Sequence, residues 1–577
     1  MQTIPINIPS KEELADALGR GDLLALIANL PLDRLEDVGA LLAKIHAEGL
    51  QNAIVFFDRL FWAEMDQRDQ IRWNYVIRGF IAETSESSDK LIQFLHSLHS
   101  AVGSNNAYSI HQGLERWLAK NRSRSGEIMQ LIGDGAWDSP FVGAVLASWR
   151  QVAPSDALDA SLALCEDVRS ETRRQAIFAL GGFAGSEDHL RKLAAGRLAN
   201  IVLGPGSEER RVAVSAATNM AVKPDGIPTD LVEALEKVAD APSIEIRREL
   251  ILGLVRNRNA YPAGLRVKVF DLMKTVDKDD VETVNLIDMA LSNMEIEKDR
   301  DAFADLLTAI LCQVDGAPPL KSFGSAVHAI KSAGYETLGW LVVRWLLDGE
   351  HEICSQLSDL FPPLDRSAYK FGLDDFNLSE AEIFYLSRKV FGYMNFMHGP
   401  AVSLLYACLS ALDGERREAM GNEIASFWLR NYPDDIELFD TVFAAYPRDG
   451  LDRSIRHMRK TVEAYERALE TLPPNPALLP SGRERRIQAE IRSQQNRKIM
   501  KAAKKASILG SIFHTRTILY GRSSVTHVYN GKGKEPVRQV VAFSSYEQSA
   551  ALPRMDVLYP TRFNNLILKF RSERRPS

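Results

Sequence analysis

Apolar residues recur at spacings of three and four along the chain up to about residue 470, in segments separated by short breaks of glycine, proline, aspartate and serine. This spacing places apolar side chains on one face of an α-helix. Leu35, Val38 and Leu42 form one such stripe, and Ser10 with Glu13 has the capping-box pattern that begins a helix. Alternating strand patterns are not evident in this part of the sequence, so we predict an all-α body.

An internal repeat of 37 residues runs through the middle of this helical part, where paired arginines begin at Arg173, Arg210 and Arg247. A fixed period of this length, with two helices in each unit, is typical of an α-solenoid whose units bury their apolar faces on their neighbours. We predict stacked helical pairs over residues 155–295, with these arginines in equivalent positions, each pairing with an acidic residue of a neighbouring unit. Three apolar columns keep the same register: Ala176, Ala213, Leu250 and Ile287; Ala179, Ala216, Gly253 and Ala290; Leu180, Ala217, Leu254 and Leu291.

Two stretches within the repeat resemble the second helices of HEAT repeats. In each, a short turn leads to Val or Ile followed by Arg and then to an alanine- or leucine-rich helix, as at Val168-Arg169 and Ile246-Arg247. The resemblance covers residues 155–295 and implies a curved scaffold surface for a protein or nucleic-acid partner, with no catalytic residues to carry over. Tetratricopeptide repeats fit less well, because their spacing of Trp, Gly and Tyr is not visible.

The length of 577 residues corresponds to about three or four domains of typical size. A proline-rich segment separates the long helical part from a shorter one of different composition. We predict an α-solenoid of HEAT-like helical pairs with a small basic α+β unit at its C-terminal end. The expected regions are 1–130, N-terminal helices; 131–300, HEAT-like repeats; 301–470, further helices; 471–482, linker; and 483–577, the basic α+β unit.

The two sides of the linker differ strongly in charge. Residues 1–480 contain 50 basic and 70 acidic residues, whereas residues 481–577 contain 20 basic and 6 acidic residues. Charge asymmetry of this size concerns partners rather than fold. The basic part is therefore expected to meet a polyanion, an acidic protein surface or the acidic body of its own chain.

The basic part also has its own secondary-structure pattern. Residues 483–507 read as a helix with a thin apolar seam, and residues 561–575 as a second helix with one apolar side. Residues 525–529 and 537–543 flank the glycine-rich segment Asn530-Gly531-Lys532-Gly533, which predicts a β-hairpin.

Common catalytic signatures are not found in the sequence. It contains no phosphate loop, no dinucleotide fingerprint, no nucleophile elbow and no HExxH zinc motif. His96 and His99 have a spacing that suits one metal ion, but no third ligand is apparent nearby. The Asp434-Asp435 pair after Pro433 is expected to cap a helix rather than to bind metal. We expect no cofactor and no metal site.

One cluster of polar residues in the basic part could act on a phosphodiester. Two histidines would carry protons, and arginines would stabilise the developing charge. The same residues could instead bind phosphate or an acidic partner without cleaving anything, and we favour that interpretation. The cluster consists of His514, Arg516, Tyr520, Arg522, His527 and Tyr529.

The four cysteines form no CxxC pair, and the sequence shows neither a signal peptide nor a membrane span. A reducing cytoplasm is the simplest expectation. The aromatic stretch from Phe384 to Met397 could line a ligand pocket, but aromatic residues at helical spacing usually fill a core, and we favour core packing.

Three functional hypotheses follow. The first is a non-enzymatic scaffold that holds a protein partner on its solenoid and binds nucleic acid, with duplex DNA favoured, through phosphate contacts. The second is a protein–protein adaptor whose basic tail docks on its own acidic body. The third is a nuclease or other phosphoryl-transfer enzyme that uses His514 and His527. The expected nucleic-acid-binding residues are Arg485, Arg486, Arg492, Arg497, Lys498, Lys501, Lys504, Lys505, Arg516 and Arg522.

The layout of a helical scaffold with a short basic module is similar to that of accessory subunits in bacterial multi-protein systems, including antiviral defence. Under the first hypothesis this layout implies such an accessory role in the cytoplasm. A membrane partner is not expected, because all eight tryptophans lie at or before Trp428, which leaves the basic part without interfacial anchors.

Overall fold

The computed structural model describes most of the chain in two compact units, residues 1–334 and 335–577. Side chains are described except at Gln67, in parts of 485–506, in the three strands and at 557–558. The residues left undescribed are 1–7, 29, 59–64, 104–106, 136–137, 221–226, 259–260, 363–364, 474–480, 507–513, 521–522, 530–536, 543–552 and 577.

The first unit is helical throughout its described residues. Its helices are α1 Lys11–Arg20, α2 Leu23–Ile27, α3 Leu32–Ala47, α4 Ala53–Asp58, α5 Gln67–Glu83, α6 Ser88–Val102, α7 Tyr108–Lys120, α8 Arg124–Asp134, α9 Val142–Arg150, α10 Pro154–Leu164, α11 Ser170–Leu180, α12 Asp188–Val202, α13 Ser207–Asn219, α14 Thr229–Ala239, α15 Ile244–Asn257, α16 Ala263–Met273, α17 Val281–Ser292, α18 Ile296–Leu311 and α19 Gly324–Ser332.

The predicted repeat is confirmed by where these helices begin. Helices α11, α13, α15 and α17 start at residues 170, 207, 244 and 281, a constant spacing of 37. Each packs on the next, and α10, α12, α14 and α16 form a second layer that packs behind them. The stacking also continues from α11 back through α9, α7 and α5 to α3, so it extends well before the predicted start at residue 155.

The apolar columns of the repeat form the core between neighbouring helices. Ala176, Ala213, Leu250 and Ile287 are all fully buried. Small residues let the helices approach closely, since a Cβ on Gly181 would lie only 2.4 Å from the carbonyl oxygen of residue 216 in the next unit. The repeat therefore specifies packing distance as well as apolar surface.

We predicted that the first arginine of each motif contacts an acidic residue of a neighbouring repeat unit, and this is correct only for Arg173. Its guanidinium lies 2.7 Å from Glu209 Oε1 in the next unit. Arg210 instead donates to the carbonyl of Val202, and Arg247 donates to the carbonyl of Thr275. These two arginines therefore satisfy backbone oxygens at helix ends, where carbonyls lack intrahelical partners.

The ion pairs between units come mainly from the second arginine of each pair. Arg211 lies 2.8 Å from Glu208 and 2.9 Å from Glu249 of the next unit, and Arg248 lies 2.6 Å from Asp280. The hydrogen bond from Arg211 lowers the pKa of Glu208. Because these groups are partly exposed, each pair contributes about 0–1 kcal/mol, so the series fixes the register of the units more than it stabilises them.

The second unit contains ten described helices and one sheet. Its elements are α20 Tyr335–Asp348, α21 His351–Cys354, α22 Glu380–Tyr393, α23 His398–Ser410, α24 Gly414–Ile424, α25 Ile436–Ala445, α26 Leu451–Glu470, α27 Gly482–Ala506, β1 His514–Tyr520, β2 Ser523–Tyr529, β3 Val537–Ala542, α28 Arg554–Leu558 and α29 Pro560–Ser572.

The three strands form an antiparallel sheet in the order β1-β2-β3. The predicted hairpin corresponds to β2 and β3, which pair in a register that sets Val528 opposite Val537. The predicted glycine-rich tip lies outside the described residues. Strand β1 was not predicted as a separate element.

The structure does not support a separate basic α+β unit over residues 483–577. Helix α29 packs against α22 and belongs to the same compact unit as residues 335–470. The described division of the chain falls between Gly334 and Tyr335, inside the region 301–470 that was expected to form further helices. The amphipathic pattern of α29 was visible in the sequence, but the pattern does not say which helix covers its apolar side.

Gly253 of α15 is a position where close packing requires glycine. A Cβ there would lie 2.1 Å from Tyr261 Oη and 2.4 Å from Thr218 Cγ2. The Tyr261 hydroxyl is buried and donates to the carbonyl of Leu250, so it cannot move away without losing that hydrogen bond.

We expect Gly253→Ala to lower the free energy of unfolding by about 1–3 kcal/mol, the usual cost of overpacking a core. Urea unfolding followed by circular dichroism measures this. The control is Gly196→Ala in α12, where nothing lies within 4 Å of the added methyl group. That change should stabilise the helix by about 0.5–1 kcal/mol, and equal effects of the two variants would contradict the packing argument.

Candidate functional site: a basic segment anchored at both ends

Helix α29 docks its apolar side on an aromatic cluster of the second unit. Phe563 and Ile567 are buried. The ring of Phe563 stacks on Phe427 at an interplanar angle of 4°, and Phe570 contacts both Phe427 and Phe391 with ring centroids 5.0 and 5.5 Å apart. Phe391 lies in the aromatic stretch 384–397, most of which is buried as core, although Phe396 is exposed.

Cations from each helix cap the C-terminal end of the other. Lys389 of α22 donates to the carbonyl of Arg571 at 2.6 Å, and Arg571 of α29 donates to the carbonyl of Gly392 at 2.7 Å. Positive charge at a helix C-terminus is favourable, because the last carbonyls carry partial negative charge and lack partners. Burial lowers the pKa of Lys389, so the carbonyl contact is made by an ammonium group that has lost much of its water.

Ion pairs complete the docking of α29. Arg388 lies 2.8 Å from both Glu423 and Glu573. Arg575 lies 2.6 Å from Glu382 and also pairs with Asp348. Hydrogen bonds from Ser379 and Arg575 lower the pKa of Glu382 to about 2. Arg575, just beyond α29, is thus paired with two acidic residues of its own unit.

The short helix α28, just before α29, is also tied to earlier residues of the second unit. Arg554 of α28 lies 3.0 Å from Glu466 of α26, and the amide of Met555 donates to Asn431. Because α26 ends at Glu470, residues 474–552 lie in the sequence between two parts of the chain that this ion pair ties together. We call residues 474–552 the basic excursion; it contains 14 basic and 4 acidic residues.

Helix α27 carries most of this positive charge, with nine basic and two acidic residues. Ser481 begins it with a capping box, in which the amide of Glu484 donates to Ser481 Oγ and the Glu484 carboxylate accepts from the Ser481 amide. Ile487 and Ile491 are each 50% exposed, so the apolar seam is not covered.

Four of the predicted nucleic-acid-binding side chains are described on α27, and all are exposed. Within the described part of the chain none of them has an acidic partner, in contrast to Arg554 of α28 and Arg575 just after α29. These four are Arg486, Arg497, Lys498 and Lys501. The side chains of Arg485, Arg492, Lys504, Lys505 and Arg516 lie outside the described residues, as does the whole of Arg522.

The histidine cluster of the basic part is described only through its backbone. The register of β1 and β2 sets His514 opposite Tyr529 and Arg516 opposite His527. Strand β3 adds Arg538 opposite His527. The sequence alone did not reveal Arg538 as a member, because its place depends on the register across the hairpin. The catalytic role considered for His514 and His527 stays a prediction, since their side chains lie outside the described residues.

The fold brings a third histidine to the pair on α6. His111 of α7 lies beside His99, and both rings, together with His96, contact Phe141 with centroids 5.1 to 5.7 Å away. Over the described residues no group of three or more histidine, cysteine, aspartate or glutamate residues could hold a metal ion. The histidines therefore pack around an aromatic ring, and burial lowers the pKa of all three.

The Asp435 side chain does not cap a helix as expected. It makes no capping hydrogen bond to α25. Instead Trp428 Nε1 donates to Asp435 Oδ2 at 3.0 Å, and His398 Nδ1 lies 2.7 Å from the same oxygen. Both Asp435 and His398 are buried. This pair ties α23 to the start of α25, which a sequence pattern typical of a cap could not indicate.

No protein-family model and no curated protein matches the chain. Among solved structures it is similar to a chain of the S. pombe condensin Cnd3-Cnd2 subcomplex, with 12% identity and a TM-score of 0.28 over 81% of this chain and 82% of that one. It is also similar to the TSC2 N-terminus, with 11% identity and a TM-score of 0.19 over 82% of this chain and 97% of that one. At these TM-scores the assignment of a helical repeat rests on the packing of this chain's own helices.

None of the helices that the structure describes combines the length and the apolar character needed to cross a bilayer.

The lowered pKa values of the three histidines predict that acid destabilises the first unit. The unfolded histidines have an ordinary pKa of 6.5, so below this value the unfolded chain binds protons that the folded chain does not. The free energy of unfolding should therefore fall as the pH drops through 6.5, with Glu171 opposing the effect at His99 and His111. Urea unfolding between pH 8 and pH 5 measures the slope.

In the same series, His111→Gln should reduce the pH dependence. His189→Gln, which changes an exposed histidine of the same unit, is the matched control and should leave the slope as it is. Equal slopes for His111→Gln and the parent protein would show that this group does not contribute.

The buried His398–Asp435 pair predicts a large effect of Asp435→Ala. This change leaves the Trp428 N–H and the His398 ring without their acceptor, which costs about 3–5 kcal/mol when one partner of a buried pair is removed. Asp435→Asn keeps an acceptor and should cost less. Asp434→Ala, at the exposed neighbouring position, should have little effect. Thermal unfolding followed by circular dichroism measures these effects. Equal melting temperatures for Asp434→Ala and Asp435→Ala would contradict the assignment.

Proposed function

We propose that the protein is a helical scaffold that binds nucleic acid through phosphate contacts made by the basic excursion. One observation carries this proposal. Arg554 of α28 and Arg575, just after α29, pair with acidic residues of the second unit, whereas Arg497, Lys498 and Lys501 on α27 are exposed and have no acidic partner in the described part of the chain. Unpaired cations along one helix are suited to a polyanion.

Phosphate contact explains the composition of the excursion better than base recognition does. Lysine and arginine on several faces of a helix contact the backbone without reading the sequence. Aromatic residues, which stack on unpaired bases, are few in α27. These features favour duplex DNA over single strands, and binding without sequence preference.

The anchoring of the excursion adds a structural reason for this function. Because α28 and α29 hold the returning end, a bound nucleic acid would be tethered to the scaffold at two points of the chain rather than at the end of a flexible tail. The stacked helices of the first unit would offer a surface for a protein partner, as helical repeats do. An accessory role in a bacterial multi-protein system, such as antiviral defence, would combine these two activities, and it rests on layout alone.

A protein–protein adaptor is the second candidate, and the docking of α29 on α22 favours it. That docking shows that basic residues of this chain satisfy acidic helices within one unit. In this alternative, the exposed side of α27 would contact an acidic protein. The two candidates differ in what the α27 cations bind, and salt-dependent DNA binding separates them.

We expect the triple variant Arg497→Glu, Lys498→Glu and Lys501→Glu to bind duplex DNA at least ten-fold more weakly than the parent protein. When a phosphate contact is lost, fewer counterions are released on binding. The slope of log affinity against log salt should therefore also become shallower. Fluorescence anisotropy with a labelled duplex between 50 mM and 200 mM salt measures both quantities. Two duplexes of unrelated sequence should bind alike.

The matched control reverses three exposed lysines of the first unit, with Lys90, Lys192 and Lys298 each changed to Glu. It alters net charge equally and should keep most of the affinity. If both triple variants bound DNA as tightly as the parent at about 0.15 M salt, where charges beyond roughly 8 Å are screened, the adaptor function would replace the nucleic-acid function. If the parent protein cleaved the DNA and a variant with His514 and His527 changed to alanine did not, the result would support the enzymatic hypothesis.

A further inference from the structure

A cavity of about 730 Å³ lies on the first unit, lined by α7, α9, α11 and the turn that follows α11. Its lining is rich in small residues, including Gly143 and Ala147 of α9 and Gly182 of the turn. Tyr108 and Phe178 also line it and are 70% and 45% exposed, so the cavity opens to solvent beside two aromatic rings. Its volume falls in the range of sites that hold small organic ligands.

The guanidinium of Arg150, at the end of α9, faces this cavity. It lies over the ring of Phe183 at 5.4 Å and has no hydrogen-bond acceptor or acidic partner among the residues that the structure describes. A half-buried arginine usually contacts a carboxylate, a carbonyl or a phosphate, because it keeps its charge and has five N–H donors. Burial alone lowers the pKa of Arg150, and no neighbouring acid opposes this.

Gly182 makes room for this guanidinium. A Cβ at position 182 would lie 1.7 Å from Arg150 Nη1, with no space for both. The neighbouring Gly181 already meets α13 closely, so the turn cannot simply shift. The absence of a side chain at position 182 therefore leaves the space that the guanidinium occupies beside the cavity.

The other polar groups of the cavity limit the charge of a ligand. Glu115 and His111 line it together with Gln175, whose side-chain amide donates to Glu171. Burial lowers the pKa of His111, so its imidazole is neutral at pH 7. Arg150 is thus the one cation among the lining residues, and a single carboxylate matches it better than a phosphate dianion, which needs several donors.

We propose that this cavity binds a small aromatic carboxylic acid, with its carboxylate on the Arg150 guanidinium and its flat ring against the glycine and alanine lining. The exposed rings of Phe178 and Tyr108 supply the aromatic contacts at the opening. The site lies on the first unit and is independent of the nucleic-acid function proposed for the basic excursion.

The test uses the full-length protein with benzoate as the probe, and its affinity is measured by saturation-transfer NMR titration. Benzoate should bind, and the neutral analogue benzamide should bind at least ten-fold more weakly. Arg150→Met should weaken benzoate binding by about ten- to a hundred-fold, the usual effect of removing a charge-assisted hydrogen bond. Arg122→Met, at an exposed arginine of the same unit, is the control and should bind as the parent does.

Two further variants keep the charge but change the site. Gly182→Ala displaces the guanidinium and Ala147→Phe fills the cavity, and both should weaken benzoate binding at least ten-fold. Gly196→Ala, where the added methyl group meets nothing, should not. These variants decide the result if Arg150→Met fails to fold, as circular dichroism would show.

Three results would overturn the proposal. The first is no benzoate binding by the parent protein, and the second is equal binding by the parent and by the folded site variants. The third is binding of inorganic phosphate, or of the capped peptide acetyl-Ala-Glu-Ala-amide, more tightly than benzoate. Phosphate would then indicate a site for inorganic anions, and the peptide would indicate a docking site for an acidic protein segment.

Discussion

The close approach of neighbouring helices in the first unit is the constraint on which its architecture depends. No helical pair of a solenoid can bury its apolar face by itself, so each pair relies on the next. In this chain the contact is made by small residues at fixed positions of a 37-residue period, such as Ala179, Ala216 and Gly253. Small residues bury less apolar area than leucine, but they bring the backbones close and leave little freedom in how the helices cross. The constant starting points of α11, α13, α15 and α17 follow from this repetition.

Close packing also decides where charge can lie. The small columns occupy the contact face of each helix, so the arginine pairs at its start are left at the edge of that face. There the second arginine of a pair reaches acids of the next unit, as Arg211 reaches Glu249, while Arg210 reaches a helix-terminal carbonyl. A small residue also decides where Arg150 lies at the edge of its cavity. Because Gly182 has no side chain, the guanidinium can occupy the space beside it.

The sequence predicted those features that depend on local spacing. The repeat and its buried columns are such features, because a period in the sequence becomes a period in space. Features that depend on which distant segments meet could not be found in this way. The partner of α29 lies about 180 residues away, as the contacts of Arg571 and Lys389 show. His111 joins His99 only because α7 packs near α6, and Asp435 is buried against Trp428 rather than placed as a cap.

The arginine pairs show the same limit on a smaller scale. Adjacent residues on a helix point about 100° apart, so a paired arginine motif does not reveal which member faces the neighbouring unit. Only the crossing of α11 with α13 settles that. For the basic excursion, the sequence predicted the basic face of α27, but it could not show that Arg554 pairs with Glu466 of α26.

Some basic residues of the second unit pair with acidic residues, whereas the described ones on α27 do not, and this difference has a physical explanation. Acidic residues that could attract α27, such as Glu382, Glu423 and Glu466, already contact arginines, so their fields are largely cancelled a short distance away. Attraction between exposed charges is further screened beyond roughly 8 Å at physiological salt. Duplex DNA, in contrast, carries one negative charge for about every 1.7 Å of its length. A helix with nine basic and two acidic residues therefore gains more from such a polyanion than from these acids, which are already paired.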